Sequence, residues 1–322
     1  MLDIFKTDCD NEKKNVILLG DGFFARGFLH TINRNMFNIL QIYRDSFINP
    51  QDMIYSLQRN EIYDYNKIYH FRDIFYKSPD NSLKLDIKKL EINKNILQIN
   101  DNPNHYSYDY LVIGLGTQKS LKQWSDEFNL LTNKKKLNIG IVGMGPIGME
   151  LGLILSKNNK IDMFDMLPES KIINFFNQQN KNYILNLLDK KNITKTYEKM
   201  YDKNKYTHDI SIFCVGARAN SLTSNFKINK YLQHANYSNV YIGGDCINSM
   251  EYIKTAQMAY QQGMYVANKL NGDIEETKEF EYKSNGMSLN IGDNKVMIEN
   301  HTYIPNGIYP DFIIKLYSMF FI

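Results

Sequence analysis

The chain has 322 residues, 43% of them hydrophobic and 13% aromatic, and a formal net charge of +3. That length accommodates two domains of the usual ~100–200 residues, and the apolar fraction is enough for packed cores. Lysine and arginine are scattered and form no basic arm, which excludes nucleic acid as a partner, and the cysteines, Cys9, Cys214 and Cys246, are too far apart in sequence for a C-x-x-C redox pair.

The residues from Met1 to Asn15 carry both signs of charge and no apolar run, so no secretory leader is expected. No stretch reaches the roughly 20 apolar residues of a spanning helix. Asn15 to Gly20 is a continuous apolar run and predicts a buried parallel strand. Apolar residues at helical spacing follow from Phe23 to Arg34, and a strand from Asn38 to Tyr43 completes a βαβ unit. From Gln51 to Lys77 the chain is polar and aromatic and is expected to be helical in part. Leu83 to Leu90 and Asn95 to Ile99 alternate apolar with polar side chains, as an antiparallel meander does, and Tyr108 to Gly114 is another buried strand. A polar linker, Lys119 to Lys136, then marks a domain boundary.

A second start repeats the first. Asn138 to Val142 reads as a strand, Ile147 to Ser156 as a helix and Lys160 to Phe164 as a strand, a duplication of the same unit. Asp209 to Val215 and Asn239 to Ile242 are expected as further sheet strands. Thr255 to Leu270 is expected as a helix that Asn271 and Gly272 end, because glycine adopts the left-handed cap conformation readily.

Each of the duplicated units has a glycine turn between its strand and its helix. Gly20-Asp21-Gly22-Phe23-Phe24-Ala25 is G-x-G-x-x-A, and Gly143-Met144-Gly145-Pro146-Ile147-Gly148 is G-x-G-x-x-G. The first glycine makes the turn, the second lets a pyrophosphate approach backbone, and the small third residue, Ala25 or Gly148, lets helix and strand close. The helix N-terminus then offers free N–H groups to the anion. One such turn is often packing alone, whereas two in one chain point to two dinucleotide sites. Asp165 ends the strand after the second turn. A carboxylate there either accepts from an adenosine ribose, favouring NADH over NADPH, or caps the strand in solvent. Arg44 holds the matching place after the first unit, near an FAD adenosine or as a surface charge. Gly244 and Asp245 end a strand just before a helix, where the carboxylate can hydrogen-bond a flavin's ribityl chain. On that helix Ala256 is small and Gln257 and Gln261 lie four apart on one face. They border a planar acceptor, or they are ordinary polar positions of an amphipathic helix.

Together these residues resemble the type II NADH dehydrogenases, the non-proton-pumping NADH:quinone oxidoreductases among the two-dinucleotide-domain flavoproteins. The resemblance covers nearly the whole chain: the Gly20 turn, Tyr108 to Thr117, the Gly143 turn continuing into Glu150 and Leu151, Val215 to Arg218, and Gly244-Asp245. Its most specific part is Ala256 to Gln262, similar to the family's A-Q-x-A-x-Q quinone signature. The resemblance implies FAD held by Gly20, Gly22, Thr117 and Asp245, and NADH held by Gly143, Gly145, Gly148 and Asp165. Ala25, Arg44, Gly116, Gly216, Gly244 and Ala256 complete the implied cofactor-binding set. Glu150 is implied near the nicotinamide, and Gln257 and Gln261 at the quinone pocket; no metal is expected. The chain also departs from the family. Its members are usually longer, Asp21 and Phe24 stand where small or neutral residues are more usual, and Leu115 stands where Ala or Thr is frequent.

The expected fold is therefore α/β, two Rossmann-like dinucleotide-binding domains followed by a small C-terminal α+β region, 280–322. The FAD domain is discontinuous, 1–132 and 241–279, with the NADH domain, 133–240, inserted in it. In the C-terminal region Leu289 to Asp293 is similar to a hairpin preceding the family's membrane-anchoring helices. The apolar tail Phe312 to Ile322 lies in a membrane interface, or packs on the body or on the second subunit of a homodimer. The implied activity is hydride transfer from NADH to FAD and then electron transfer to a quinone. The implied location is cytoplasmic, or peripheral on the inner face of a membrane, and not secreted. Two alternatives stand beside it: a soluble NADH-dependent reductase of ferredoxin, rubredoxin or oxygen, and a non-catalytic nucleotide-binding relative that regulates a partner.

Overall fold

The computed structural model describes residues 13–44, 81–101, 105–117, 131, 136–174, 176–216, 219–248, 254–284, 288–292 and 295–298. The expectations for Gln51 to Lys77, for most of the linker after Thr117, for Arg218 and for the tail from Phe312 lie outside these residues.

Strand β1 (Lys14–Leu19), helix α1 (Phe23–Thr31) and strand β2 (Phe37–Tyr43) form the first βαβ unit. Val16 to Leu19 are fully buried, as a strand covered on both faces must be. β3 (Asn81–Lys84) extends the sheet in parallel beside β2. β4 (Leu90–Asn93), β5 (Ile96–Ile99) and β6 (His105–Ser107) form a separate antiparallel sheet. The single strand expected from Leu83 to Leu90 is thus two strands in two sheets. Asn100 is the physical reason, since its Oδ1 accepts the Lys88 and Lys89 N–H groups at 2.7 and 3.1 Å and takes them out of any ladder. β7 (Tyr110–Ile113) returns to pair in parallel with β1.

The second unit is built from β8 (Asn138–Val142), α2 (Pro146–Leu155), β9 (Lys160–Phe164), α3 (Gln178–Lys190), β10 (Thr194–Thr196) and β11 (Ile210–Phe213). Its four strands are all parallel, in the order β10-β9-β8-β11. Ile139, Ile141, Ile161 and Met163 face α2 and α3 in a core separate from that of the first sheet. On the opposite face Tyr201, Tyr206 and His208 stack around Phe164, and His208 is hydrogen-bonded to both Asp162 and Tyr201.

β12 (Gln233–His234) and β13 (Tyr237–Ile242) then rejoin the first sheet, whose order is β12-β13-β7-β1-β2-β3. The boundary expected at 240 cuts through β13, where Val240 is in register with Leu111 and both are buried in the first core. Phe226, Ile228 and Leu232 already pack on that core, and Thr117 bridges Ala219 where the two crossings run side by side. Helix α4 (Ala256–Asn271) starts at Thr255, whose Oγ1 accepts the Met258 N–H, and ends at Gly272 with φ +82°. α4 packs on α1 with their backbones nearly touching at Gly27 and Gly263.

β14 (Ser288–Gly292) and β15 (Lys295–Ile298) form a hairpin. β14 is part of the second unit: Leu289 and Ile291 are buried in the core under α2. Among the described residues no helix is long and apolar enough to cross a membrane.

Candidate functional site

The two glycine turns stand at the carboxyl ends of β1 and β8, where ligands bind in open parallel sheets. Gly20 and Gly143 have φ of +112° and +101°, a conformation that β-carbons oppose. A side chain at Gly20 would also collide with the Gly114 carbonyl, and one at Gly143 with the Cys214 carbonyl. The next glycines do something different. Gly22 and Gly145 are the N-caps of α1 and α2 and, having no side chains, place no capping acceptor over the helix ends. Among the described residues a carbon added to either meets nothing within 4 Å, which leaves room for an incoming group at both helix ends. Ala25 is fully buried, and a carbon on Gly148 would strike the Gly143 carbonyl, so each small third residue closes its helix onto its strand.

Asp165 comes back onto the second turn. Its Oδ2 accepts the Met144 N–H at 2.7 Å and its Oδ1 accepts the Leu167 N–H at 2.8 Å. Each oxygen keeps acceptor capacity for a further donor, which a strand cap pointing into solvent would not place beside Gly143. In the first turn Asp21 adds a carboxylate next to the open helix end. Arg26 pairs with it at 3.8 Å and Gln41 Nε2 donates to it at 3.3 Å and to the Gly20 carbonyl at 2.8 Å. Arg44, half-buried, follows β2 on the same edge of the sheet as the Gly20 turn.

Two more segments converge on the first turn, at Gly116–Thr117 and at Gly244–Asp245, and Gly216 follows β11 beside the second turn. Among the described residues nothing lies within 4 Å of a carbon added at Gly116, at φ +68°, or at Gly216, at φ +86°, and Thr117 bridges to Ala219. Gly244, at φ +73°, donates its N–H to Gln262 Oε1 at 2.7 Å. Asp245 is half-buried, and among the described residues nothing hydrogen-bonds its carboxylate. Burial pushes its carboxyl above the usual carboxylate range, partly offset by the Lys254 charge. Gln262, buried to 1% exposure, has an Nε2 with no partner among the described residues. Sequence reasoning missed it, although it directly follows Gln261. The Cys246 thiol is pushed up to about 11 by complete burial and donates to the Gly243 carbonyl, so it is no thiolate nucleophile.

The three residues assigned to the catalytic site all turn out to be engaged within the chain. Glu150, 2% exposed, accepts the Asn290 N–H of β14 at 2.9 Å. Gln257 Oε1 accepts the Tyr282 hydroxyl at 3.0 Å. Gln261 grips the backbone of Lys283 twice, donating to its carbonyl at 2.8 Å and accepting its N–H at 3.0 Å. Ala256 opens α4 beside them, and Ala259 lies against the Gly244 turn. Among the described residues no cluster could hold a metal ion.

Two duplicated strand-turn-helix units, each with an open helix end and a carboxylate at hand, define a two-dinucleotide oxidoreductase. The comparisons agree: residues 15–263 match the pyridine nucleotide-disulphide oxidoreductases, and the chain belongs to that family. By its description, that family groups oxidoreductases that use a pyridine nucleotide. A probable mitochondrial NADH-ubiquinone oxidoreductase of Schizosaccharomyces pombe is 21% identical over 371 aligned positions, covering 88% of this chain and 66% of the relative. The chain therefore spans just under two thirds of that relative's length. Among solved structures, NDH2 of Plasmodium falciparum in complex with NADH superposes with a TM-score of 0.71 at 15% identity, covering 96% of this chain and 95% of that one. A water-forming NADH oxidase of Lactobacillus brevis bound to NADH gives 0.68 at 16%, covering 89% and 75%. Both share the α/β fold, and the likeness to type II NADH dehydrogenases stands among these relatives.

Proposed function

We propose that the chain is an FAD-dependent NADH dehydrogenase whose electron acceptor is a quinone. The described residues fit both dinucleotides: among them Gly22 and Gly145 leave room at the helix N-caps, the Asp245 carboxylate has no donor and Gln262 Nε2 no partner, and Asp165 is anchored beside the second turn. In this reading Gly20, Gly22, Ala25, Gly116, Thr117, Gly244 and Asp245 hold FAD, with Arg44 towards its adenosine. Gly143, Gly145, Gly148, Asp165 and Gly216 hold NADH. Bound flavin supplies the chemistry, taking up a hydride from NADH and passing on two electrons.

The chain's own residues bind and orient. First-turn N–H groups of α1 and α2 take the pyrophosphates, and the helix dipoles favour their charge. Asp165 accepts the ribose hydroxyls and repels a 2′-phosphate, which selects NADH. Asp245 accepts from the ribityl chain. Side-chain acid or base is not needed for hydride transfer, so positioning the two rings is the protein's main task.

The observation that carries the quinone assignment is the placement of Ala256, Gln257 and Gln261 on α4, the helix packed against the Gly244–Asp245 turn. Two amides there offer donors to quinone carbonyls, and the name of the Schizosaccharomyces pombe relative supports the same acceptor. A second reading is favoured by the engagement of both glutamines with Tyr282 and Lys283, which would leave the chain a reductase of another acceptor. Steady-state NADH oxidation with a short-chain quinone, ferricyanide and oxygen in parallel decides between them. Quinone turnover that falls in Gln257→Ala and Gln261→Ala while ferricyanide turnover holds supports the first reading; equal loss with every acceptor overturns it. Peripheral attachment through Phe312 to Ile322 belongs to the same proposal, and unchanged liposome binding after its deletion would remove it.

A further inference from the structure

Phe24 stands in the first glycine turn at a position where a small residue is usual, yet its side chain is 2% exposed. The ring enters α1's inner side and occupies the slot between the ends of β7 and β13. A carbon added at Gly114 or at Gly243 would fall inside the space of that ring, and one at Gly244 would lie 3.2 Å from Phe24 Cβ. From the other side, Gly263 of α4 lets the Phe24 carbonyl approach so closely that a side chain there would collide with it. Two glycines, one at the end of each strand, are thus matched to one large side chain, and Gly263 gives room to the backbone of the same residue. The elements they join are those that frame the FAD site: the Gly20–Gly22 turn, the strand leading to Gly116–Thr117, and the turn carrying Asp245.

We propose that Phe24 is the positioning residue of the FAD site, a spacer whose ring sets the separation between the open N-terminus of α1 and the Gly244–Asp245 turn. Phe24 with Gly114 and Gly243 forms one size-matched unit. A close-packed interior tolerates neither a missing ring nor an added methyl group without movement of its neighbours. Here the neighbours are the backbone segments that meet the two ends of the cofactor's diphosphate and ribityl portion. The spacing therefore changes FAD affinity and flavin environment before it changes the fold as a whole. This inference rests on the reading that FAD occupies the first turn.

The test is FAD titration of flavin-stripped full-length protein, wild type beside Phe24→Ala, Gly243→Ala and the double variant, with Phe24→Leu as the conservative replacement. NADH affinity serves as a fold control, since the second core is separate from the first. Each single substitution is expected to weaken FAD by roughly tenfold, and the double variant to recover most of what Gly243→Ala lost, the mark of coupled neighbours. Phe24→Leu should bind FAD nearly as wild type, and the flavin midpoint potential should shift in Phe24→Ala but not in Phe24→Leu. Should Phe24→Ala fail to fold, the comparison of Gly243→Ala with Phe24→Leu/Gly243→Ala carries the same prediction. Wild type that binds no FAD would defeat the assignment of the first turn itself. Wild type that binds FAD while Phe24→Ala keeps its affinity and potential, or a double variant no better than Gly243→Ala, would overturn the spacer role alone.

Discussion

An ionised carboxylate taken partly out of water is a cost to the protein that carries it, and burial puts Asp245 in that situation, with the Lys254 charge offsetting part of it. Its folded pKa is raised, so its charge destabilises the fold increasingly as pH rises from the ordinary carboxylate range through the folded value. At neutral pH the full cost is present; in acid, where the carboxyl is protonated in both states, it vanishes. Asp245→Asn is accordingly expected to raise the melting temperature of the flavin-free protein at pH 7 and to leave it unchanged near pH 3. The same change removes a charged acceptor for the ribityl hydroxyls and should weaken FAD by about tenfold, the order of one charge-assisted hydrogen bond. Thermal melts at the two pH values and an FAD titration check both signs; a lower melting temperature at pH 7 would defeat the argument. At this scale the sequence was legible wherever a residue's role is local. Gly20 and Gly143 sit in the turns their spacing required, and Asp165 returns to the second turn at the expected distance along the chain. It was not legible where the role depends on a distant partner. Nothing near Phe24 in sequence announces Gly114 or Gly243, and nothing near Gln262 announces Gly244.

Among elements, α4 shows how a polar face becomes a fastening. Gln257 and Gln261 lie one turn apart, as the period dictated, and together they hold the segment through Tyr282 and Lys283. Tyr265 extends the clasp by donating to the Lys278 carbonyl at 2.7 Å and meeting the Phe280 ring. Removing Gln261 frees two backbone groups of Lys283 at an exposed site, where water replaces them. Gln261→Ala should therefore speed amide exchange at Lys283 by roughly tenfold while the global melting temperature hardly moves. Exchange unchanged from wild type would mean that the clasp is closed by other contacts. The duplicated strand-turn-helix units were readable because apolar runs and glycines mark both ends of each element. α3 was not, because its thirteen residues include three asparagines and two glutamines and its buried face is reduced to a few positions such as Ile184 and Leu188. Its start does carry a signal, Asn177 accepting the Asn180 N–H at 2.8 Å. β12, two residues long, has no periodicity to read.

At the scale of the whole molecule, a strand that sequence order assigns to a third region packs into the second unit. β14 inserts Leu289 and Ile291 into the core of the second unit, and Glu150 accepts the Asn290 N–H across 140 residues of chain. No local pattern reveals such a contact, because α2 lies far off in the sequence. Two consequences can be separated by substitution. Leu289→Ala empties a fully buried site and should cost about 2–5 kcal/mol. Glu150→Ala leaves the Asn290 N–H buried without an acceptor and should cost about 1–3 kcal/mol. Both should lower stability of the second unit first, seen as NADH affinity lost at lower denaturant than FAD affinity, because the cores are separate. Glu150→Gln keeps an acceptor oxygen and should melt close to wild type. If Glu150 also acts near the nicotinamide, Glu150→Gln will slow NADH oxidation at unchanged stability, and the charge is then what the reaction uses. If Glu150→Gln melts as early as Glu150→Ala, the tie to Asn290 is not the reason this carboxylate is buried.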